Sequence, residues 1–186
     1  MRPLKTLLFA LPVSLLLTNC GAKRYYTLGD TSHVQSTENY QKTITVEKIE
    51  IPKYLKDTAI VKQVSPYQVE LIEDANWLNP MQKHLTNVLI SYLQKSLNDP
   101  NVYLYPWENS SKQSKRISLK IKKFIAYEER VTLEARYQIY EASTKQERTK
   151  LFSTQVPTQE STESIMKSME KAYFQLAEEI KREILK

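Results

Sequence analysis

The sequence predicts an α/β fold, a single domain in which a mixed β-sheet packs against two long amphipathic helices. Three observations predict it. Short β-branched or alternating segments occur along most of the chain, two stretches repeat apolar residues at helical spacing, and the strands and helices do not alternate strictly. At 186 residues the chain is long enough to bury a core of its own. We expect about six to eight strands.

The first twenty residues indicate export. Arg2 and Lys5 precede an apolar run at 7–17, which is too short to cross a bilayer because a span needs about 20 apolar residues. Cys20 is the only cysteine of the chain, and its position after this run resembles a bacterial lipobox. We therefore expect residues 1–19 to be a lipoprotein signal peptide and Cys20 to carry covalent lipid. An ordinary cleaved signal and an uncleaved N-terminal anchor are the alternatives.

The segment after this cysteine is polar. We predict 20–42 to be the lipidated N-terminus and a tether, and 43–186 to be the domain. Within the tether, 25–28 is predicted as a short first strand. Three further strands are predicted from β-branched or alternating segments, the first irregular and the other two joined by a tight turn, at 44–51, 58–64 and 67–72.

The first helix has clear predicted boundaries. Asn79 is a preferred N-cap residue, Pro80 suits the first helical position because it has no N–H to satisfy, and Gln82 completes a capping box. The sequence 98–100, Asn-Asp-Pro, predicts the end of the helix. Apolar residues at helical spacing predict its buried face, which comprises Met81, Leu85, Val88, Leu89, Tyr92 and Leu97.

A short strand and a long hairpin follow. The strand is predicted at 102–105 and is followed by a polar loop at 108–115. Apolar residues then alternate with polar ones over 117–139, which predicts a hairpin with one wet face. The alternation slips at Lys123-Phe124, which predicts a bulge, and the turn is expected near Glu128-Glu129.

The C-terminal part predicts one more strand and the second helix. We expect a charged loop at 142–149 and a last short strand at 151–156. Ser161 is the predicted N-cap of the final helix, and Glu163 in its first turn favours the helix dipole. The apolar stripe of this helix comprises Ile165, Met169, Ala172 or Tyr173, Leu176, Ile180 and Ile184.

Residues that carry catalysis or bind metals are sparse, so we expect neither an enzyme nor a cofactor beyond the covalent lipid. The two histidines are His33 in the tether and His84 in the first helix. Without cysteines or clustered carboxylates at ligand spacing, His84 is expected to be an ordinary boundary residue. The only glycines are Gly21 and Gly29, whereas a loop that cradles phosphates needs several.

The charge of the chain favours no nucleic acid. The formal net charge is +6, and the basic residues do not form a stripe with interleaved stacking aromatics. The surplus of positive charge weakly favours binding to anionic lipid headgroups. Two tryptophans, Trp77 and Trp107, stand at junctions of predicted elements. There an indole either seals the edge of the core or contacts a partner.

Several local signatures occur in one order along the chain. Cys20 is followed by Tyr-Tyr-Thr-Leu at 25–28 and Ile-Pro-Lys-Tyr-Leu at 51–55. Trp-Leu-Asn-Pro at 77–80 then opens a helix. Val-Tyr-Leu-Tyr-Pro-Trp at 102–107 and a hairpin from Phe124 to Tyr137 precede the C-terminal helix. In this order the chain resembles the ABC-type transport auxiliary lipoprotein family, over nearly all of the segment that follows Cys20.

The resemblance implies a fold, a place and a set of partners. The implied fold is an anticodon-binding-domain-like α/β layer structure with a mixed sheet. The implied place is the periplasmic face of the outer membrane, which Gly21 directly after Cys20 also favours. There the protein would work with a mammalian-cell-entry (MCE) domain protein and an ABC-type permease and ATPase in lipid transport between membranes. Some members of the family are similar to ring-forming oligomers, so a homo-oligomeric ring is also implied.

The resemblance carries no catalytic residues with it. At residue level it implies lipidation of Cys20, and it makes Pro52, Tyr54 and Leu55 candidates for a partner contact because an exposed aromatic loop after a strand can bind a partner. Trp77 and Trp107 are further candidates. Two other functions stay open: a lipid or lipopolysaccharide carrier with its own cavity, and a structural envelope lipoprotein.

Overall fold

The structure is a computed structural model and describes residues 22–36, 38–106 and 114–186. The predicted signal peptide, Cys20 and Trp107 lie outside the described residues. The described part contains eight strands and two α-helices, with a short 3₁₀ helix at Lys53–Leu55. In chain order these are β1 (Arg24–Tyr26), β2 (Ile44–Val46), β3 (Ala59–Ser65), β4 (Gln68–Trp77), α1 (Met81–Leu97), β5 (Val102–Leu104), β6 (Lys115–Tyr127), β7 (Arg130–Glu141), β8 (Gln146–Pro157) and α2 (Thr162–Ile184).

All eight strands belong to one mixed sheet that branches at β6. One edge of β6 pairs with β7 over its whole length, antiparallel, and β7 pairs in the same way with β8. The opposite edge is shared. Parallel β2 pairs with its start, where Ile44 faces Lys115, and parallel β3 pairs with its end, where Gln63 faces Tyr127. β5 continues the sheet beside β2, and β4 and then β1 continue it beside β3.

The long hairpin follows the predicted alternation. A register shift between Ile121 and Lys123 confirms the bulge, and Glu128 in the left-handed region (φ 50°) confirms the turn. The predicted loop at 142–149 is wrong in its second half, because β8 begins at Gln146 and pairs with β7 from there. Charged residues are compatible with an edge strand, where they face solvent and discourage further pairing.

The start of α1 differs from its prediction. The N-cap is Pro80 with no side-chain cap, so the predicted capping box at Asn79 and Gln82 is wrong. The Gln82 amide Nε2 donates instead to the carbonyl of Ile49 at 2.8 Å, just beyond the short β2. The predicted end is confirmed, because Asn98 adopts the left-handed conformation (φ 50°) in which helices commonly stop.

The second helix begins as predicted. Ser161 is its N-cap, and its Oγ accepts a hydrogen bond from the Ser164 amide at 3.2 Å. The apolar faces of both helices pack on one side of the sheet and enclose the core. The fully buried Tyr173 connects the helices, since its hydroxyl donates to the Leu85 carbonyl at 2.7 Å.

Candidate functional site

The N-terminal strap, residues 24–34, lies against the helices. It begins as β1, which pairs in parallel with the last residues of β4, and then carries the buried Leu28. At Gly29 the backbone has φ +90°, and a Cβ there would stand 2.3 Å from Val88 Cγ2 on α1. Only glycine fits such a conformation and such a close approach without strain. Much of the segment predicted as a tether is therefore packed on the domain.

Polar contacts hold the strap on both helices. The Glu170 carboxylate of α2 accepts from the backbone amides of Gly29 at 2.6 Å and Asp30 at 3.0 Å. On α1, His84 Nε2 lies 2.7 Å from the Leu28 carbonyl, and Lys95 Nζ donates to the Thr31 carbonyl at 2.8 Å. The point at which the chain leaves the domain towards Cys20 is therefore fixed by packing.

A projecting hairpin lies beside this exit point. β3 and β4 are joined by a two-residue turn at Pro66-Tyr67. The hairpin surface is the group of large apolar side chains that it exposes: Val64, Tyr67, Val69 and Leu71. Tyr67 is 99% exposed and Leu71 66%. Exposed apolar side chains concentrated at one place on the surface of a domain indicate a binding surface.

The predicted partner-contact loop points into the protein instead. Leu55 is 2% exposed, so the expectation of an exposed contact residue is wrong there; Trp77 is 4% exposed, which agrees with the alternative that it seals the edge of the core and not with a partner contact. Tyr54 is half-buried, and its hydroxyl accepts a hydrogen bond from the Phe124 amide at 2.8 Å. Burial raises the pKa of this hydroxyl, and the Phe124 hydrogen bond opposes the rise. Pro52 is the N-cap of the 3₁₀ helix that carries Tyr54.

The face of the sheet away from the helices is polar and carries a stacked guanidinium. Arg116 lies 5.1 Å from the ring centroids of both Tyr105 and Tyr140. Its Nε also forms an ion pair with Glu47 at 3.3 Å. Such stacking holds a cation in one orientation at an exposed site.

Hollows on the described surface are shallow and lined by mixed chemistry. One of about 630 Å³ lies between α2 and β8 and combines aromatic rings, Phe152 and Phe174, with charged side chains such as Glu178 and Arg182. Within the described ranges no three metal-binding side chains cluster. None of the helices described has the length and apolar character of a membrane span.

The sequence reasoning did not find the strap contacts or the hairpin surface. Gly29 could have indicated the strap contact, because the chain has only two glycines and a polar tether alone would not require one at this position. Tyr67, Val69 and Leu71 could have indicated the hairpin surface, since large apolar residues directly follow a Ser-Pro turn. Glu170 gave no signal, because its partners are backbone amides some 140 positions away.

Comparison with known proteins decides the family. The sequence profile of the ABC-type transport auxiliary lipoprotein component matches residues 26–181. The chain belongs to the ABC-type transport auxiliary lipoprotein family. This is a family of transport auxiliaries rather than a class of enzymes. The match begins within β1, so it includes almost all of the strap and the whole hairpin surface.

Two solved structures are similar to this auxiliary lipoprotein. An uncharacterized protein has a TM-score of 0.72 at 20% identity and covers 88% of this chain and 99% of its own. A Xanthomonas campestris protein of the family DUF330 has a TM-score of 0.68 at 15% identity, with coverages of 84% and 92%. Both share the mixed α/β fold. No curated protein matches the chain.

Proposed function

We propose that this auxiliary lipoprotein is acylated at Cys20, sits on the periplasmic face of the outer membrane, and docks an MCE-type lipid-transport assembly with an ABC permease and ATPase. The family match over residues 26–181 carries the proposal. In this role the chain performs no reaction. It holds a transport assembly beside the membrane and offers surfaces for its partners, a ring of its own copies among them.

The strap supports the anchoring part of the proposal. Cys20 stands four positions before Arg24, a stretch that spans at most about 14 Å when fully extended. Because β1 is paired to β4 and the strap is held by Glu170, His84 and Lys95, the domain cannot drift far from the lipid. A short, fixed connection suits a docking protein that must hold its partner at a defined distance from the membrane.

The interior supports docking over carriage. A lipid carrier needs an apolar cavity that encloses most of its ligand. Here the space between helices and sheet is filled by buried side chains such as Phe124, Tyr137 and Tyr173, and the open hollow beside α2 mixes aromatic rings with charged side chains. Large apolar side chains also face outwards, and the hairpin carries four of the nine that the described residues expose.

The experiment compares Cys20→Ala with Ala22→Ser, a nearby substitution that keeps the thiol. Each variant is cross-linked in cells and purified. Mass spectrometry measures the mass of its N-terminal peptide, and uptake of a dye that an intact outer membrane excludes measures the barrier. We expect Ala22→Ser to carry lipid and to capture an MCE protein. We expect Cys20→Ala to lose the lipid mass, outer-membrane fractionation and barrier function. A normal barrier in well-expressed Cys20→Ala would contradict the proposal.

Two further outcomes would replace it. Lipid recovered in stoichiometric amount by solvent extraction of the purified protein would favour the carrier function. Sedimentation with purified cell wall, and not with an MCE protein, would favour a structural envelope role. The mass of the cross-linked species also reports whether several copies assemble together.

A further inference from the structure

The N-terminus and the hairpin surface point to the same end of the molecule. β1 runs parallel to β4, with Arg24 opposite Ala75 and Tyr26 opposite Trp77. Because β4 runs from the hairpin turn towards Trp77, the N-terminal end of the parallel β1 faces the turn end of β4. On that side β1 covers only Ala75–Trp77, and no other described strand pairs there.

Distance limits where the lipid can be. Cys20 is four residues before Arg24, so it can lie no more than about 14 Å from the start of β1. β4 bulges between Leu71 and Asn76, which lie opposite Val61 and Ala59, so Leu71 is only about 7 Å along the hairpin from the level of Asn76. The acylated residue and the exposed Leu71 can therefore lie at one level, and Tyr67 extends about 13 Å further in the same direction.

The hairpin itself has two unlike faces. Val69 and Leu71 lie on one side, and Leu71 is paired across the hairpin with Val61. Alternation puts the next pair, Lys62 and Glu70, on the other side. Val69 and Leu71 therefore make one face apolar towards the turn, with Gln63 opposite Val69 and Glu73 two positions beyond Leu71, and the other face carries Lys62 and Glu70. Tyr67 occupies the turn.

We propose that the apolar face of this hairpin, Val69 and Leu71 with Tyr67 at its tip, lies in the headgroup region of the membrane that holds the N-terminal lipid. The inference rests on the proposed acylation of Cys20. A lipid surface is the occupant because the acyl chains hold the hairpin within reach of the bilayer, and because apolar side chains beside a tyrosine match its headgroup boundary. The hairpin carries Lys62 against the acidic Glu70, Glu73 and Asp74, so apolar burial, rather than attraction to anionic lipid, drives the contact.

The contact would orient the whole domain. Gln63 of the hairpin pairs with Tyr127, so the β6–β7 turn lies at the same end of the sheet. The β7–β8 turn, which contains Thr144, lies at the opposite end, where Lys115 pairs with Glu141. The length of β6 separates these ends by about 40 Å. The β7–β8 end and the C-terminus of α2 would then face away from the membrane, towards the transport partner.

The test uses the full-length acylated protein in vesicles of phosphatidylethanolamine and phosphatidylglycerol. Its one native cysteine is blocked by lipid, so a cysteine introduced by Tyr67→Cys is labelled with an environment-sensitive fluorophore. Thr144→Cys, also at an exposed turn, is the matched control. For the label at position 67 we expect blue-shifted emission and at least threefold quenching by nitroxide-bearing lipids, and for the label at position 144 we expect neither. Raising the salt concentration should leave the emission and the quenching at position 67 unchanged.

The hairpin residues supply a second variant. Val69→Ser with Leu71→Ser removes the apolar face without touching the core, since both side chains are more than half exposed. With the label at position 67, we expect lipid quenching to fall at least twofold, while the protein still floats with the vesicles.

The outcomes separate the two proposals. A protein that floats with vesicles and has the acylated mass, yet shows equal quenching at positions 67 and 144, overturns the hairpin contact and leaves the anchoring intact. An unmodified mass and no flotation overturn both. A blue shift at position 67 without lipid quenching, growing with protein concentration, assigns the surface to a second copy and overturns the membrane contact.

Discussion

The Tyr54 hydroxyl accepts a hydrogen bond from the Phe124 amide at 2.8 Å, in the gap between two strands that pair with the same edge of β6. The isolated bridge from Glu50 to Lys120 lies on one side of this gap, and Gln63 pairs with Tyr127 on the other. An unpaired backbone amide in a buried position is costly, and here a side chain takes the place of a strand. Tyr54 is in this sense part of the sheet.

We predict that Tyr54→Phe destabilises the fold without removing a partner contact. The ring stays, and the Phe124 amide loses its acceptor, at a cost of about 1–2 kcal/mol in the free energy of unfolding. Denaturant unfolding measures the loss, and amide hydrogen exchange should accelerate at Phe124. The control is Tyr103→Phe, which changes a half-buried tyrosine on another strand and should leave exchange at the Phe124 amide unchanged. Unchanged exchange at Phe124 in Tyr54→Phe would contradict this role.

Glu170→Ala should release the strap. Its carboxylate accepts from both Gly29 and Asp30, and the loss of two charge-assisted bonds at a half-buried site should cost about 1–3 kcal/mol. Exchange at these two amides reports the release directly. Glu163→Ala on the same helix is the control, because Glu163 pairs with the exposed Lys167 rather than with the strap, and it should leave strap exchange unchanged.

Gly29→Ala should strain the same segment from the other side. The new Cβ would meet both Cγ atoms of Val88 within 2.6 Å, in a backbone conformation with φ +90°. Together these should destabilise the protein by about 1–3 kcal/mol. Adding Val88→Ala should recover part of the loss, so that the double variant is more stable than the sum of the single effects. Purely additive effects would mean that the two residues do not meet.

Alkaline pH should destabilise the protein through its buried tyrosines. Burial raises the pKa of Tyr173 well above its ordinary value, and burial together with nearby Glu141 and Asp99 raises the pKa of Tyr40 to about 12. Above about pH 10 the unfolded chain loses these protons while the folded protein retains them. The folded state then binds more protons, and its stability falls as pH rises.

Tyr173→Phe tests this dependence at one position. Removing one such group should flatten the fall in unfolding free energy above pH 10 by about 1.4 kcal/mol per pH unit. At neutral pH the variant should lose about 1 kcal/mol with the bond to Leu85. Tyr67→Phe, at a 99% exposed position, should change neither quantity. An identical pH slope in wild type and Tyr173→Phe would argue against the raised pKa.

Local pattern was sufficient to predict much of the fold. Apolar periodicity located both helices, the Ser161 cap, the β6–β7 turn and the bulge before Phe124, because each depends on residues close together in the chain. The start of α1 was missed for the same reason. Gln82 donates to the carbonyl of Ile49, more than thirty positions away, and a capping rule considers only residues close together in the sequence.

The sequence by itself determined an α/β domain with two amphipathic helices, since spacing and composition act locally. Only the tertiary structure decided that β2 and β3 share one edge of β6, that the strap is held by Glu170, and that Leu55 and Trp77 are buried while Tyr67 stands in solvent. The physical reason is that burial depends on which elements meet, and those meetings are set by packing between residues far apart in the chain.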